Sequence, residues 1–427
     1  EEEDSLEDDS VSDQAIAEHL FQVLRGSNNL VFPNSRTQVE WFADQLRRRC
    51  EQDGVPNEFW PHHGSLSKDI REDTERALKA GDRPATAICT TTLELGIDIG
   101  SIRTVVQIGP PPSVASLRQR LGRSGRRPGE AAILRGYCKE RRLTDDSPIS
   151  DRLRQGLVQS IAMIRLLMRG WFEPPRAQGL HLSTLVQQCL SVIAQQGGAT
   201  AAELWGTLVR NGPFLAVEQD SFLNLLRALG ERDLIVQEPA GLLLPGELGE
   251  RLINHYDFYS AFTSNEEFRV VCDGRPLGAL PVSRPLRAEQ RIIFAGRRWQ
   301  VINVDTEGNV IVVKPSPGGA PPAFDGLAAR VHDNVRQEMK NVLQEDEPYP
   351  YLDPVAQRLL VEARQSFADL ELGHQSFIES GGRTCLLTWQ GDWTNDALAV
   401  LLEYVGLPIE NSGLVIEAQG GVALLES

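Results

Sequence analysis

Between residues 29 and about 140 the chain alternates short apolar runs with amphipathic stretches, and this alternation constrains the fold more than any other feature. "NLVFP" is an apolar run. It is followed by "SRTQVEWFADQLRRRC", where Val39, Phe42, Ala43 and Leu46 share a helical face behind Ser35 as cap. "NEFWPHH" precedes "SKDIREDTERALKAG", a helix predicted to start at Ser67 and stop at Gly81. "ATAICTT", "IRTVVQIG" and "GEAAILRGY" read as strands, with the helix "SVASLRQRLG" between the last two. Such alternation predicts an α/β parallel sheet with helices on both faces. The working residues of such a sheet lie on loops at the carboxyl ends of its strands.

The pattern then changes. "RLRQGLVQSIAMIRLLMRGW" and "STLVQQCLSVIAQQGG" read as helices. "TAAELWGTLV", "EQDSFLNLLRALGERDLIVQ" and "GLLLPG" read as helix, helix and β-wing, the order of a winged helix. From Phe268 the character is β, with Gly/Pro turns between strands, and a long helix runs from Pro354 to Leu370. The expected organisation is an acidic linker (1–27), the parallel-sheet domain (28–145), and a helical linker with a winged helix (146–262). A β-rich domain (263–345) and a small α+β unit (346–427) complete it.

Charge separates these parts. The 427 residues carry a net −16, yet Asn34 to Arg142 holds 19 Lys and Arg against 14 Asp and Glu. The opening "EEEDSLEDDS" reads as a solvated linker, with an acidic mimic of nucleic acid as the sharper alternative. One basic segment sits in an acidic protein, so the local patch matters more than the net charge. No uninterrupted apolar run of ~18 residues is present, so no membrane span is expected. The six cysteines are scattered without a CxxC, which argues against a disulfide framework or a zinc site and fits a reducing cytoplasm. Residue 1 is Glu rather than Met, and the chain reads as a piece of a longer one.

The basic segment carries the chemistry. "SLRQRLGRSGRRPG" places Arg118, Arg120, Arg123, Arg126 and Arg127 within ten residues. Guanidinium groups bind phosphate oxygens in a bidentate fork, so Arg123 and Arg126, three apart, are candidates for meeting a nucleotide γ-phosphate. A solvated basic patch is the plain alternative. Upstream, "CTTTLELGIDIG" offers Thr90, Thr91 and Thr92 for a nucleic-acid phosphate, Gly96 for a tight turn and Asp98 for a ribose hydroxyl. Asn34, Ser35 and Arg36 stand at a strand end and helix start, where an anion is favoured, and "HHGSLS" repeats this with His63, Gly64 and Ser65. For His62 and His63, one packed and one solvated histidine is a plainer reading than a catalytic role.

The order "NSR", "HHGSLS", "TTLELGIDIG", "QRLGRSGR" resembles motifs IV, IVa, V and VI of superfamily 2 helicases, and the wording of "TLELGIDIG" and "VVQIGPPPSVASLRQRLGRSGRR" resembles the large helicase-related (Lhr) family. "PLGALP", "AGRRWQVINVD" and "VVKPSPGGAPPAFDG" are similar to that family's β-rich domain. The resemblance implies a RecA-like second motor domain, winged helix and β-rich domain of an ATP-dependent translocase. Such a translocase moves 3′ to 5′ on single-stranded DNA and unwinds duplexes or RNA–DNA hybrids. It implies Arg123 and Arg126 as arginine fingers, Gln119 near the nucleotide, Asp98 near the ribose and Gly96 in a hinge. Ser35, Arg36, His63, Gly64, Thr91 and Thr92 become nucleic-acid contacts. Where the family carries a stacking Trp, "PPAFDG" offers Phe324, with Trp299 as the other candidate.

A superfamily 2 motor also needs GxxxxGK[ST] and a DExx carboxylate pair on a first RecA-like domain, to hold ATP and Mg²⁺. The first motif does not occur in these 427 residues, and no DEAD- or DEAH-like strand end does either. The expectation is an ATP site shared with a first domain outside them, with this chain inactive alone. The alternative is a non-catalytic nucleic-acid-binding or regulatory remnant. A winged-helix transcription regulator fits poorly. Its recognition helix would carry Arg227 and Arg232 against Glu218, Asp220, Glu231 and Asp233.

Overall fold

The computed structural model describes residues 2–94, 98–126, 129–175, 179–259, 267–281, 286–306, 308–322, 329–380 and 382–419. They fall into two compact units. Glu1–Glu173 and Glu267–Ser427 form one, and Pro174–Glu266 the other.

The alternating stretch builds β1 (Asn29–Phe32), α2 (Arg36–Gln52), β2 (Phe59–His62), α3 (Lys68–Ala80), β3 (Thr86–Cys89), β4 (Thr104–Ile108), α4 (Val114–Leu121) and β5 (Ile133–Tyr137), after an opening helix α1 (Glu2–Leu24). The five strands pair in parallel in the order β2-β3-β1-β4-β5, a RecA-like sheet. β1, β3 and β4 are buried throughout, as strands covered on both faces must be. Ser35 caps α2 by accepting from Gln38 N–H, and Gly81 ends α3 in the left-handed conformation.

The opening segment is not a linker. It is helical from Glu2 to Leu24, and Ile16, Ala17, Leu20, Phe21 and Leu24 are buried with the inner face of α2. The charge of the first ten residues masks this apolar stripe in the sequence.

Two short helices follow β5, α5 (Ile149–Arg152) and α6 (Gln155–Met168). The sequence reads as one helix there, but Arg154 adopts φ +48° between them. Its buried guanidinium reaches the Arg141 carbonyl and Glu362 (2.8 Å).

The 174–266 unit runs α7 (Leu182–Gln196), β6 (Ala199–Thr200), α8 (Ala201–Leu204), α9 (Gln219–Glu231), β7 (Ile235–Gln237), β8 (Leu242–Pro245) and α10 (Glu247–Ile253). Its sheet order is β6-β8-β7, the wing beside the helices. Thr200 and Glu203 form a reciprocal capping box at the start of α8.

The β-rich sheet holds β9 (Glu267–Cys272), β10 (Arg275–Pro281), β11 (Arg291–Phe294), β12 (Arg297–Asp305) and β13 (Val310–Pro315), in the order β10-β9-β13-β12-β11. Then come α11 (Asp333–Gln344), α12 (Pro354–Asp369), β14 (Phe377–Ser380), β15 (Arg383–Leu386), α13 (Asp392–Tyr404), β16 (Ile409–Asn411) and β17 (Ile416–Gln419). The last four strands form an antiparallel sheet, β14-β15-β17-β16.

One apolar core joins α4, α5, α6, α11, α12 and the C-terminal sheet. The helices expected as a linker before the winged helix therefore pack with α11, which was expected in the β-rich domain. Arg165 of α6 and Arg169, which caps its carboxyl end, both pair with Glu338 of α11.

The parallel sheet and the β-rich sheet are also tied together. Glu40 and Asp44 lie one turn apart on α2, both fully buried. Glu40 accepts from the Ala295 and Gly296 N–H groups (2.8 and 2.7 Å) in the β11–β12 turn. Asp44 accepts from Arg298 Nη2 and Nε (2.7 and 3.0 Å). The segment after β2 continues the contact, with Ala279 N–H on the Ser65 carbonyl (2.7 Å) and Ser67 N–H on the Leu277 carbonyl (2.9 Å).

Candidate nucleotide and nucleic-acid site

The sheet order places β2, β3 and β1 side by side, so the segments following them open at one end of the sheet. These are His62–Ser65, Thr90–Thr92 and Asn34–Arg36. The residues chosen from the sequence do not all present their side chains there.

Ser35 uses its hydroxyl as the α2 cap. Arg36 is half-buried and donates from Nη1 to Ser65 Oγ (2.9 Å). Gly64 and Thr91 are exposed. Thr92 is half-buried, its hydroxyl 2.8 Å from His62 Nδ1 and donating to the His62 carbonyl (3.2 Å). His62 is buried, and that burial lowers its pKa despite an opposing contact with Glu75.

His63 is a correction to the nucleic-acid set. Its ring is 0% exposed and Nε2 lies 2.8 Å from Glu40 Oε1, so it holds the junction with the β-rich sheet rather than a phosphate. Neither histidine is solvated, because each closes a contact between elements. Trp299 is also buried and donates its indole N–H to the Phe294 carbonyl (2.7 Å), so it offers no ring for stacking. Gly96 and Phe324 lie outside the described residues.

The arginine segment is ordered by a charge network that the sequence does not announce. Arg120 is 2% exposed. Its Nε donates to Glu94 Oε1 (2.7 Å), its Nη1 to Gln107 Oε1, and its guanidinium lies 4.6 Å from the Phe32 ring centroid. Ser116 Oγ donates to the same Glu94 oxygen (2.9 Å). Gln107 passes the chain on, donating to Asn34 Oδ1 (3.1 Å) and to the Gly109 carbonyl (3.0 Å). Arg120 therefore belongs to the interior, not to the phosphate-facing set.

Arg123 follows on the turn after α4. It is 7% exposed and donates from Nε (2.9 Å) and Nη2 to the Glu94 carbonyl. Burial first, and the Arg126 charge second, lower its pKa, yet a guanidinium stays protonated at neutral pH. Arg126 is exposed, with Nε on the Gly122 carbonyl (3.1 Å). Gln119 is exposed on α4. Asp98 is exposed and pairs with Lys79 (3.2 Å); that bond, then the Gly100 N–H, hold its carboxyl below the usual range.

Two glycines are required by this geometry. Gly109 has φ +73°, and a Cβ there would stand 2.8 Å from Asn34 Nδ2. Gly125 has φ +64°, and its Cβ would meet Ala132 N at 2.5 Å. The amino end of α4 is closed by Glu173, which accepts from the Val114 and Ala115 N–H groups (2.9 and 2.8 Å).

These donors suit an anion. Arginines, hydroxyls and amides face the loops, and the carboxylates beside them are engaged, Glu94 by Arg120, Asp98 by Lys79 and Glu75 by His62. Among the described residues no group of three or more His, Cys, Asp or Glu side chains could hold a metal ion. Among them also, no helix is long and apolar enough to cross a membrane.

Residues 12–128 match the helicase conserved C-terminal domain. The chain is 34% identical over 238 residues to the Lhr helicase/probable uracil glycosylase of Mycolicibacterium smegmatis, covering 48% of this chain and 15% of that protein. It is 43% identical over 96 residues to the ATP-dependent helicase Lhr-Core of Methanothermobacter thermautotrophicus, covering 22% and 11%. Among solved structures, Mycobacterium smegmatis helicase Lhr bound to single-stranded DNA and AMP-PNP superposes with TM-score 0.62 at 21% identity, covering 96% of this chain and 53% of that one. The DUF1998 helicase MrfA bound to DNA and AMPPNP gives 0.55 at 16% identity, covering 97% and 56%. The chain thus spans about half the length of those structures and a smaller share of the curated relatives.

Proposed function

The chain is related to the Lhr-like superfamily 2 helicases and carries their conserved C-terminal domain, and on that premise we propose that it is the C-terminal half of an ATP-dependent helicase. It supplies arginine fingers and nucleic-acid contacts to a first RecA-like domain that holds the phosphate cradle and Mg²⁺. The partner half stands in the parent chain or on a separate subunit. The track is single-stranded DNA, followed 3′ to 5′, with DNA or RNA–DNA duplexes unwound ahead of it.

One observation carries this reading. Arg123 and Arg126 stand three apart on the turn after α4, and Arg123 is bonded to the stretch that follows β3. Two guanidinium groups thereby stand beside the stretch that follows β3, within reach of a nucleotide shared with a first domain, and positive charge of this kind stabilises phosphoryl transfer. Arg126, Gln119 and Asp98 are assigned to the nucleotide. Arg36, Gly64, Thr91 and Thr92 are assigned to the strand, with Ser35 contributing through the helix start it caps. Gly96 keeps its role as hinge and Phe324 as stacking residue.

The test is nucleic-acid-stimulated ATP hydrolysis by the chain alone and with the N-terminal half restored. Silence alone and turnover after restoration support the half-motor. In the restored motor, Arg126→Ala abolishes turnover and leaves strand binding intact; wild-type turnover overturns the finger assignment. Silence of the restored motor leaves a nucleic-acid-binding or regulatory protein. Arg36→Glu weakens binding and flattens its salt dependence by about 0.7 per lost phosphate contact.

A further inference from the structure

Arg123 is in the wrong state for a finger. It is 7% exposed and turns its Nε–Nη2 edge to the Glu94 carbonyl, so presenting that edge to a phosphate requires leaving the carbonyl. What holds the carbonyl in place decides when this happens. Glu94 is fixed through its carboxylate by Arg120 Nε (2.7 Å) and Ser116 Oγ (2.9 Å), both on α4. Arg120 is fixed in turn by Gln107. Gln107 donates to Asn34 Oδ1 (3.1 Å), and Asn34 Nδ2 donates to the Pro110 carbonyl (2.8 Å). Glu94, Arg120 and Gln107 are all buried, while Asn34 is exposed at the end of β1, next to Ser35 and Arg36. The network therefore has one solvent-facing end, at the loop assigned to the strand, and one end at the finger.

We propose that Arg123 is parked on the Glu94 carbonyl until nucleic acid is gripped, and that Gln107 is the positioning residue through which the grip releases it. The inference rests on the half-motor reading. Engagement of the Asn34–Arg36 loop draws Asn34 from Gln107. The amide then re-pairs within the buried set, Arg120 and the Glu94 turn shift together, and Arg123 exchanges a carbonyl for a phosphate. That exchange is favourable, because a charge-assisted bond to phosphate exceeds one to a neutral carbonyl. The buried set responds as a unit because its members are hydrogen-bonded in a packed interior that repacks discretely. ATP hydrolysis without a strand is thereby suppressed.

Phenylglyoxal footprinting of arginines on the 427-residue chain, read by peptide mass spectrometry, tests this with oligo-dT as probe. Without oligonucleotide, Arg126 reacts and Arg123 is protected. Saturating oligo-dT protects Arg36 and raises the Arg123 rate about tenfold, the change expected when a minor state becomes the major one. Gln107→Met, with the near-isosteric Gln107→Glu as a second variant, binds oligo-dT as before but no longer transmits. In both, the Arg123 rate is the same with and without oligonucleotide. An Arg123 rate in the unmodified chain that oligo-dT leaves unchanged while binding overturns the proposal. So does an unaltered response in both variants. If the unmodified chain does not bind oligo-dT, the nucleic-acid reading itself fails, and the parked finger with it.

Discussion

Glu40→Gln changes one atom type at the junction of the parallel sheet and the β-rich sheet, and its cost can be worked out. The carboxylate receives three donors on two oxygens: His63 Nε2 and Ala295 N–H on Oε1, Gly296 N–H on Oε2. An amide has one acceptor oxygen. Turned to keep His63 and Ala295, it sets its NH₂ against the Gly296 N–H at about the present 2.7 Å. One hydrogen bond to a charged group is lost, at about 1.5–3 kcal/mol, and a buried donor is stranded, at about 1–3 kcal/mol. The expected destabilisation is about 3–5 kcal/mol, with no escape to solvent because Glu40 is fully buried. Urea denaturation of the full chain measures it. Native-state hydrogen exchange locates it, with Ala295 and Gly296 amides accelerated ahead of those in β1 and β4. A loss below about 1 kcal/mol with unchanged exchange at both amides would refute the reasoning.

Other outcomes follow from single contacts. Burial pushes the Glu140 carboxyl up to about 7, against about 4.5 ordinarily. The folded state then holds a proton that the unfolded state releases, so stability falls as pH rises from about 4.5 through about 7, by at most about 3 kcal/mol. Glu140→Gln flattens that dependence, and melting curves at pH 5 and 8 that stay as far apart as in the unmodified chain count against it. Glu173→Ala removes the carboxylate from two amides at the start of α4 and costs about 1–2 kcal/mol, read as faster exchange at Val114 and Ala115. Unchanged exchange there would mean that Ser113, the helix's own cap, suffices.

The sequence made the parallel sheet legible because each strand and helix declares itself locally. Val39, Phe42, Ala43 and Leu46 mark a face before any partner is known. The arginine segment was legible as a cluster but not as a division of labour. Arg120 differs from Arg123 and Arg126 only by the carboxylate it meets, and Glu94 stands 26 positions away. Glu40 and Asp44 were unreadable for a related reason, since their partners in the β11–β12 hairpin lie about 255 positions downstream. His63 was misassigned because position in a loop says nothing of burial. The opening helix is not legible because the charge of its first ten residues outweighs the apolar pattern of Ile16, Leu20 and Leu24.

The larger unit is interrupted in sequence, and this sets a timetable for synthesis. α6 leaves the ribosome long before α11, the helix that covers it; Arg169 and its partner Glu338 are 169 positions apart. At about 5–20 residues per second that gap lasts roughly 10–30 s. Throughout it, the Leu157, Ile161 and Leu166 face that joins the shared core is without α11 and α12. The 174–266 unit closes its own core within the same interval. The nascent chain thus carries a finished small unit hanging from an unfinished large one, with α6 as its sticky surface for a chaperone or for a neighbouring polysome's product.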